Sequence, residues 1–524
     1  MLKPLPIGTA VIRDIIKGGY LYIDKTRHIY ELVRNYKGVY FLPRPRRFGK
    51  SLMISTLSEL FHGNCELFKG LWIDEQTDYT WTAYPVIRLD LSATQVSTAD
   101  ELQKFLDFEL ARIAQANGVE LLGYNSSTRF RELIRQLAAK TQAQGVVILI
   151  DEYDKPILDN LRNLDEAEEI RQLLKGFYGV IKAMDAYIRF VFITGISKFT
   201  KVSIFSDLNN LDDLTLQISM ATALGLTEAE IRPHLQEYIT AFAEKEGISF
   251  DAFIDKMRTW YNGFCFAPDG ENVYNPFSTL LLFKTQRFAN HWFETGTPNF
   301  LVHLLRHGNP DIERFEELQV AETAFSIYDI RRLAIVPLLF QTGYLTIKGY
   351  NKESQLFTLS YPNYEVRNAF LANVLDTFSN LEPGFSTSYL WQLIETLQAN
   401  QLDQFFEILK TLYANIDYDP QINNEKYYQT IFYLIFKLIG LRIAAEVKTG
   451  NGRIDAVIEV TDQIYLFEFK LNKDATVALE QIQDKAYYQK YRRHGKPITQ
   501  VGVNFDTATR TITDCKSAAV DLTA

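Results

Sequence analysis

The sequence predicts an α/β protein. It combines an N-terminal parallel-sheet domain, a mainly helical middle and a smaller C-terminal α/β domain. Three observations carry this. Val146–Ile150 (VVILI) and Ile188–Thr194 (IRFVFIT) are continuous apolar runs, as expected of parallel strands buried on both faces. A phosphate-loop-like string, RPRRFGKS at Arg44–Ser51, sits between a short strand pattern and a helix pattern. Near the other end, GRIDAVIEV and IYLFEFK form two short apolar strand patterns that carry acidic residues and a lysine.

Composition sets the bounds. The chain has 524 residues, of which 47% are hydrophobic, enough for about two to four domains with large cores. No apolar run approaches the roughly 18 residues that span a bilayer, so no membrane association is expected. The start, MLKPLPIGTAVIRD, lacks a signal-peptide apolar region. The three cysteines, Cys65, Cys265 and Cys515, are far apart. That argues against a disulfide framework or a cysteine-rich zinc site and favours the cytosol. The net charge of −9 does not advertise a nucleic-acid binder. It is unevenly spread, however. Residues 421–524 are mildly basic, with Lys490, Arg492, Arg493 and Lys496 clustered, either as a solvated helix end or as a phosphate-contacting rim.

Read in order, Lys37–Leu42 (KGVYFL) is a short buried strand entering the phosphate loop, and Ser51–Phe61 a helix. Helical patterns over Ala99–Ala116 and Asp165–Met184 alternate with the two apolar strands. This gives a doubly wound core over about residues 1–222. Residues 223–414 read as a mainly helical lid or linker region. It opens with two amphipathic helices across Leu226–Trp260 and contains a hairpin near Leu339–Ser360. Asn415–Asn424, a polar stretch with Pro420, opens a third domain over 415–524. Its expected order is a helix (Glu425–Leu438), three strands (Arg442–Lys448, Ile454–Val460, Ile464–Lys470) and a helix (Thr476–Tyr491).

The loop Arg46, Arg47, Phe48, Gly49, Lys50 and Ser51 supplies the end of the GxxxxGK[ST] pattern. There, backbone N–H groups cradle phosphate, lysine reaches it and a hydroxyl binds Mg²⁺. Arg44 stands where the pattern opens with glycine, which predicts a different loop path stiffened by Pro43 and Pro45. Asp151–Glu152 ends the apolar strand about 100 residues later. This placement suits Asp151 for Mg²⁺ and Glu152 for polarising water. Thr194 or Ser197, after the next strand, could sense the γ-phosphate. Asp24 and Lys25 are either near the nucleotide or an ordinary ion-paired turn.

In the C-terminal domain Glu468 and Lys470 are two apart, so they leave one face of a strand, and Asp455 lies on the strand before. Two carboxylates and an ammonium at one spot suit metal-assisted phosphodiester cleavage. Asp455 and Glu468 would bind Mg²⁺, or Mn²⁺, with the Phe469 carbonyl. Lys470 would position hydroxide and offset transition-state charge.

These residues resemble the bacterial AAA-ATPase-like family fused to a PD-(D/E)xK nuclease domain, which has a restriction-endonuclease-like α/β fold. PIGTAVIRDIIKGGYLYIDKT, RPRRFGKSL, VVILIDEYDKP, ITGISKF, SDLNNLDDLT, WYNGF, YNPFS and FQTGYLTI are similar to the family's successive blocks. The replaced glycine is shared with that family. The resemblance implies ATP and Mg²⁺ at Lys50, Ser51, Asp151 and Glu152, and D…ExK chemistry at Asp455, Glu468 and Lys470. Glu425, on the preceding helix, matches a further acidic position of such nucleases, and Glu446 is its rival. Gln481, on the following helix, matches a glutamine that contacts substrate or braces Lys470.

The expected function is an ATP-regulated, Mg²⁺-dependent nuclease acting on nucleic acid, DNA before RNA. A homo-oligomer is compatible with the resemblance, and Arg331 and Arg332 are paired candidates for an arginine finger. The rival expectation is a nucleotide-switched regulatory or nucleic-acid-binding protein with little turnover. His303 and His307 lack the glutamate of a zinc-protease pattern, and Trp260, Tyr261, Phe264, Trp292 and Phe293 read as packing anchors.

Overall fold

The computed structural model describes residues 2–93, 95–140, 145–198, 205, 208–292, 312–325, 334–378, 385–414, 425–442, 456–506, 508–509 and 511–520. The chain forms two compact units, one of residues 1–300 with 315–366 and the other of 301–314 with 367–524.

The first unit is built on strands β1 (Gly38–Phe41), β2 (Val86–Asp90), β3 (Val146–Asp151), β4 (Ile188–Ile193) and β5 (Asp212–Asp213). They are all parallel, in the order β2-β3-β4-β1-β5. Every residue of β3 and β4 is buried, the physical reason their sequences are unbroken apolar runs. Helices Lys50–Phe61, Ala99–Ala116, Ser126–Lys140 and Leu164–Ala183 accompany the sheet. Thr98 and Asn163 cap two of them with side-chain oxygens. The expected strands near 37–42, 146–150 and 188–194 are present, and β2 and β5 add to them. Because β1 and β3 lie on either side of β4, their carboxyl ends open side by side, the usual place for a ligand in such a sheet.

Leu226–Trp260, expected as two helices, forms three: Glu228–His234, Gln236–Glu246 and Phe250–Tyr261. A capping box of Thr227 and Glu230 starts the first, and left-handed Gly247 ends the second. Their apolar faces close over Leu21, Tyr274, Leu282 and Phe283. The expected hairpin is present as β7 (Thr346–Asn351) and β8 (Leu356–Ser360), with β6 (Leu318–Ala321) added on the far side of β8. Of the expected anchors, Trp260, Tyr261, Phe264 and Trp292 are packed side chains. Trp260 meets Tyr364 with ring centroids 4.5 Å apart, and Tyr261 stacks on Phe288.

The second unit carries β9 (Ala456–Glu459), β10 (Ile464–Leu471), β11 (Ile498–Asp506) and β12 (Thr511–Ala519), in the order β12-β11-β10-β9. β10 and β11 run parallel; the other pairs are antiparallel. Helices Phe385–Gln398 and Leu402–Ala414 belong to this unit. Phe405 packs on Phe467 and Tyr413 on Phe505. The helix expected over Thr476–Tyr491 ends at Asp484. Left-handed Ala486 then turns the chain into a 3-10 segment, Tyr487–His494. The expected strand Arg442–Lys448 lies, after Arg442, outside the described residues.

Helix Ala475–Asp484 sits close on β11 at Gly502, where an added Cβ would lie 2.3 Å from the Ala475 carbonyl and 3.1 Å from Ala478 and Leu479. Since backbone cannot yield as a flexible side chain can, Gly502→Ala should push this helix off the sheet. The expected cost is about 1–3 kcal/mol, read as a lower unfolding midpoint for the C-terminal unit with that of the first unit unchanged.

Candidate functional sites

In the first unit, the phosphate loop leaves β1 and enters helix Lys50–Phe61 through Gly49, whose φ of 94° is left-handed. Within the loop the other left-handed residue is Arg47, at φ 68°. Arg44 is not left-handed, so its position needs no glycine. Its buried guanidinium donates to the carbonyls of Pro43 (2.9 Å), Thr215 (3.1 Å) and Met220 (3.1 Å). It also lies 4.4 Å over the Phe266 ring, and burial lowers its pKa to about 9. Arg44 therefore sews the loop to the segment after β5, which gives the altered loop path a cause. Phe48 is buried and packs edge-on against Phe264 and Phe266. It anchors the loop by its side chain.

Lys50 is almost fully buried at the cleft floor. Its Nζ donates to the Pro45 carbonyl at 3.2 Å and lies 3.4 Å from Glu152 Oε1. Asp151, at the carboxyl end of β3, is wholly buried, and neither carboxylate oxygen has a hydrogen-bond partner. Burial pushes its carboxyl up to about 6; the nearby Ser51 hydroxyl opposes this and the Glu152 charge adds to it. Two orphaned carboxylate oxygens beside a serine hydroxyl form an oxygen donor set that fits Mg²⁺. Glu152 has a left-handed backbone, φ 51°.

A cleft of about 550 Å³ gathers Arg46, Arg47, Lys50, Ser51, Glu152 and Lys155. Beside it is a smaller, mainly apolar cavity of about 120 Å³, lined by Tyr22, Lys25, Leu52, Leu224, Pro276 and Leu280 among others. Lys25 lines this smaller cavity and pairs with Glu230 at 2.7 Å, as the ion-paired reading has it. Asp24 instead accepts from the backbone N–H groups of Thr26 and Trp72.

Thr194 directly follows β4, the strand between β1 and β3. Its hydroxyl donates to the Leu42 carbonyl at 2.6 Å and its N–H to Ile150, so in this structure it ties strands together. Ser197 donates its N–H and hydroxyl to Asp154. Sequence reasoning missed Asp154. It is fully buried, its carboxyl is raised to about 6 by burial and the Glu152 charge, and it fastens the Glu152 turn to the loop after β4. Asp90, paired in register with Asp151, was also missed; its signal is the acidic end of VIRLD.

In the second unit, Glu468 and Lys470 on β10 meet Gln481 from helix Ala475–Asp484. Lys470 Nζ donates to Glu468 Oε1 (2.9 Å) and to Gln481 Oε1 (2.6 Å). Gln481 Nε2 also donates to Glu468 Oε1. Glu468 is buried, and its Oε2 has no hydrogen-bond partner. An acidic oxygen without a donor at a site that fixes a lysine suits a divalent cation. Asp455 lies outside the described residues, as do Glu446, His303, His307, Arg331, Arg332 and Phe293. Glu425 opens the helix Glu425–Arg442, and its side chain is outside the description. Ala456 pairs opposite Phe467, next to Glu468 in sequence. In the basic cluster, Lys496 pairs with Glu459 at 2.9 Å, while Arg493 is exposed. Among the described residues, no three or more His, Cys, Asp or Glu side chains are grouped to hold a metal, and no helix is long and apolar enough to cross a membrane.

Residues 6–205 match the model of a family described as predicted AAA-ATPase. Residues 423–515 match the PD-(D/E)XK nuclease superfamily. The chain is similar to a protein of Azotobacter chroococcum mcd 1 described as an uncharacterized protein in the vnfD 5'region. The two are 38% identical over 522 residues, covering 97% of this chain and 98% of that protein. With a parallel-sheet phosphate-loop unit followed by a Glu-x-Lys sheet, the chain belongs to the family of predicted AAA-ATPases that carry a PD-(D/E)XK nuclease domain.

Proposed function

We propose that the protein is an ATP-binding, Mg²⁺-dependent nuclease that hydrolyses phosphodiester bonds of DNA, RNA being the second substrate, under control of its nucleotide cleft. The observation that carries this reading is the closed Glu468–Lys470–Gln481 triangle with an unpartnered, buried Glu468 oxygen. Asp455 completes the acidic set in this reading, and Glu425 is a further member. Bound Mg²⁺, or Mn²⁺, would acidify water and polarise the scissile phosphate. Glu468 holds its free oxygen toward that cation. Lys470, kept in place by Gln481, orients the attacking oxygen and offsets charge on the phosphate.

In the nucleotide cleft, Lys50 and Glu152 neutralise each other in this structure. A polyphosphate would draw the Lys50 ammonium to itself and release the Glu152 carboxylate to accept a proton from water. That pairing also supports the second reading, a nucleotide switch with little turnover, because the base is engaged until phosphate arrives. Turnover abolished by Glu152→Gln would count against the switch.

Lys470→Ala should abolish metal-dependent cleavage of linear DNA and leave the circular-dichroism spectrum unchanged; cleavage equal to the parent would remove Lys470 from the reaction. Gln481→Ala should lower cleavage by about 10- to 100-fold, since it acts through the lysine. Lys50→Ala should lose nucleotide binding, measured by fluorescence of a labelled ATP analogue.

Asp151 has a second consequence. Its folded-state pKa is raised, so the folded chain holds its proton more tightly than the unfolded chain. Stability from this group is therefore present at low pH and lost as pH rises from about 4 to about 6. Asp151→Asn should stabilise the metal-free protein at pH 7.5 by on the order of 2 kcal/mol, with the gain gone at pH 4. The same variant should lose Mg²⁺-dependent nucleotide hydrolysis.

A further inference from the structure

Besides Arg44, the phosphate loop carries Arg46 and Arg47, which a backbone cradle for phosphate does not need. Both line the cleft with Lys50 and Glu152. Arg47 is the exposed one of the pair and adopts φ 68°. A left-handed backbone costs a non-glycine residue about 1–2 kcal/mol, so the position would favour glycine if only the turn mattered. Instead it directs a guanidinium 4.6 Å over the ring of Phe277, which also lines the cleft. Glu152, across the cleft, is held in a left-handed backbone too.

The two ends of the Arg47–Phe277 stack are fixed by one network. The Arg46 carbonyl accepts from Trp292 Nε1 at 3.0 Å. The Trp292 N–H donates to Glu365 Oε1 at 2.6 Å, and the Ser278 hydroxyl donates to the same oxygen at 3.1 Å. Ser278 follows Phe277 in the helix Pro276–Thr285, whose N-terminus is capped by Asn275. The loop residue preceding Arg47 and the helix turn bearing Phe277 are thus bound to a common carboxylate. This fixes the resting place of the guanidinium at the wall of the cleft.

We propose that Arg47 is an arginine finger supplied in cis, from within the phosphate loop itself, for hydrolysis of the nucleoside triphosphate. The inference rests on the ATP reading of this cleft. In the step, the water oxygen bonds to the γ-phosphorus. The bond from phosphorus to the bridging oxygen breaks, its electron pair leaves with ADP, and the water proton passes to Glu152. Arg47 leaves Phe277 to meet the charge that gathers on the γ-phosphate oxygens.

The test uses the full-length protein with Arg47→Gly, a change that suits the left-handed backbone and so preserves the loop, and with Arg47→Lys. Expected is a fall in kcat of about 10³-fold for Arg47→Gly, partial recovery with lysine, and near-parental affinity for a non-hydrolysable ATP analogue. Affinity for ADP–aluminium fluoride, which mimics the transferring phosphoryl group, should fall sharply. Adding Lys50→Ala protein should not restore the activity of Arg47→Gly. Unchanged kcat, a loss confined to KM and analogue affinity, or restoration on mixing would each overturn the proposal alone, the last by showing that the arginine acts between subunits. Nucleotide binding without turnover in the parent would also overturn it while leaving the cleft a binding site. A parent that binds no nucleotide would instead overturn the ATP reading beneath it.

Discussion

The nucleotide cleft depends on a buried ammonium with one strong charge partner. Lys50 sits under the loop, 3.4 Å from Glu152 and hydrogen-bonded to Pro45. A buried lysine without a carboxylate would be costly, by several kcal/mol, and Glu152 supplies that partner at 3.4 Å. Much of the surrounding structure fixes that pair. Arg44, Phe48 and Trp292 hold the loop from behind, and Asp154 holds the turn that carries Glu152. Asp151 stays buried near the Ser51 hydroxyl, with neither carboxylate oxygen in a formed hydrogen bond. Such unpaired groups lower stability and persist where a ligand later satisfies them.

The C-terminal unit solves a similar problem with the opposite balance. Glu468 is the buried charge, and Lys470 and Gln481 both donate to one of its oxygens. The other oxygen is left open. In both units a buried charged side chain, Lys50 at the start of its helix and Glu468 within β10, is met by a polar partner from another element: from the turn after β3 in one case, from helix Ala475–Asp484 in the other. This explains why close packing at Gly502, in register with Glu468 on the neighbouring strand, bears on the position of Gln481.

Legibility followed physical locality. β3 and β4 could be read because strands buried on both faces leave continuous apolar runs. β2 could not, since VIRLD is short and carries Arg88 on its half-buried face. β11 and β12 were hidden by polar residues: Gln500 and Asn504 are polar side chains buried in β11, and Lys516 is exposed on the partly exposed β12. The Lys50–Glu152 and Glu468–Lys470–Gln481 groupings were visible because strand and helix periodicity set where those side chains point. The roles of Arg44, Asp154 and Phe277 were not. Each is fixed by partners far along the chain, Thr215 and Met220 for Arg44, Ser197 for Asp154, and a neighbour bound to Glu365 for Phe277. No local pattern encodes such contacts.

The central claim is that one chain joins a nucleotide cleft to a phosphodiesterase site under its control. The most direct measurement is the rate of DNA cleavage by the full-length protein in Mg²⁺, titrated with ATP and separately with a non-hydrolysable analogue, for the parent and for Lys50→Ala. The account predicts that nucleotide changes the parental rate several-fold and leaves the variant's rate flat. Cleavage in the parent that ignores both nucleotides would contradict control by the cleft, and no cleavage of DNA or RNA under any of these conditions would contradict the nuclease reading itself.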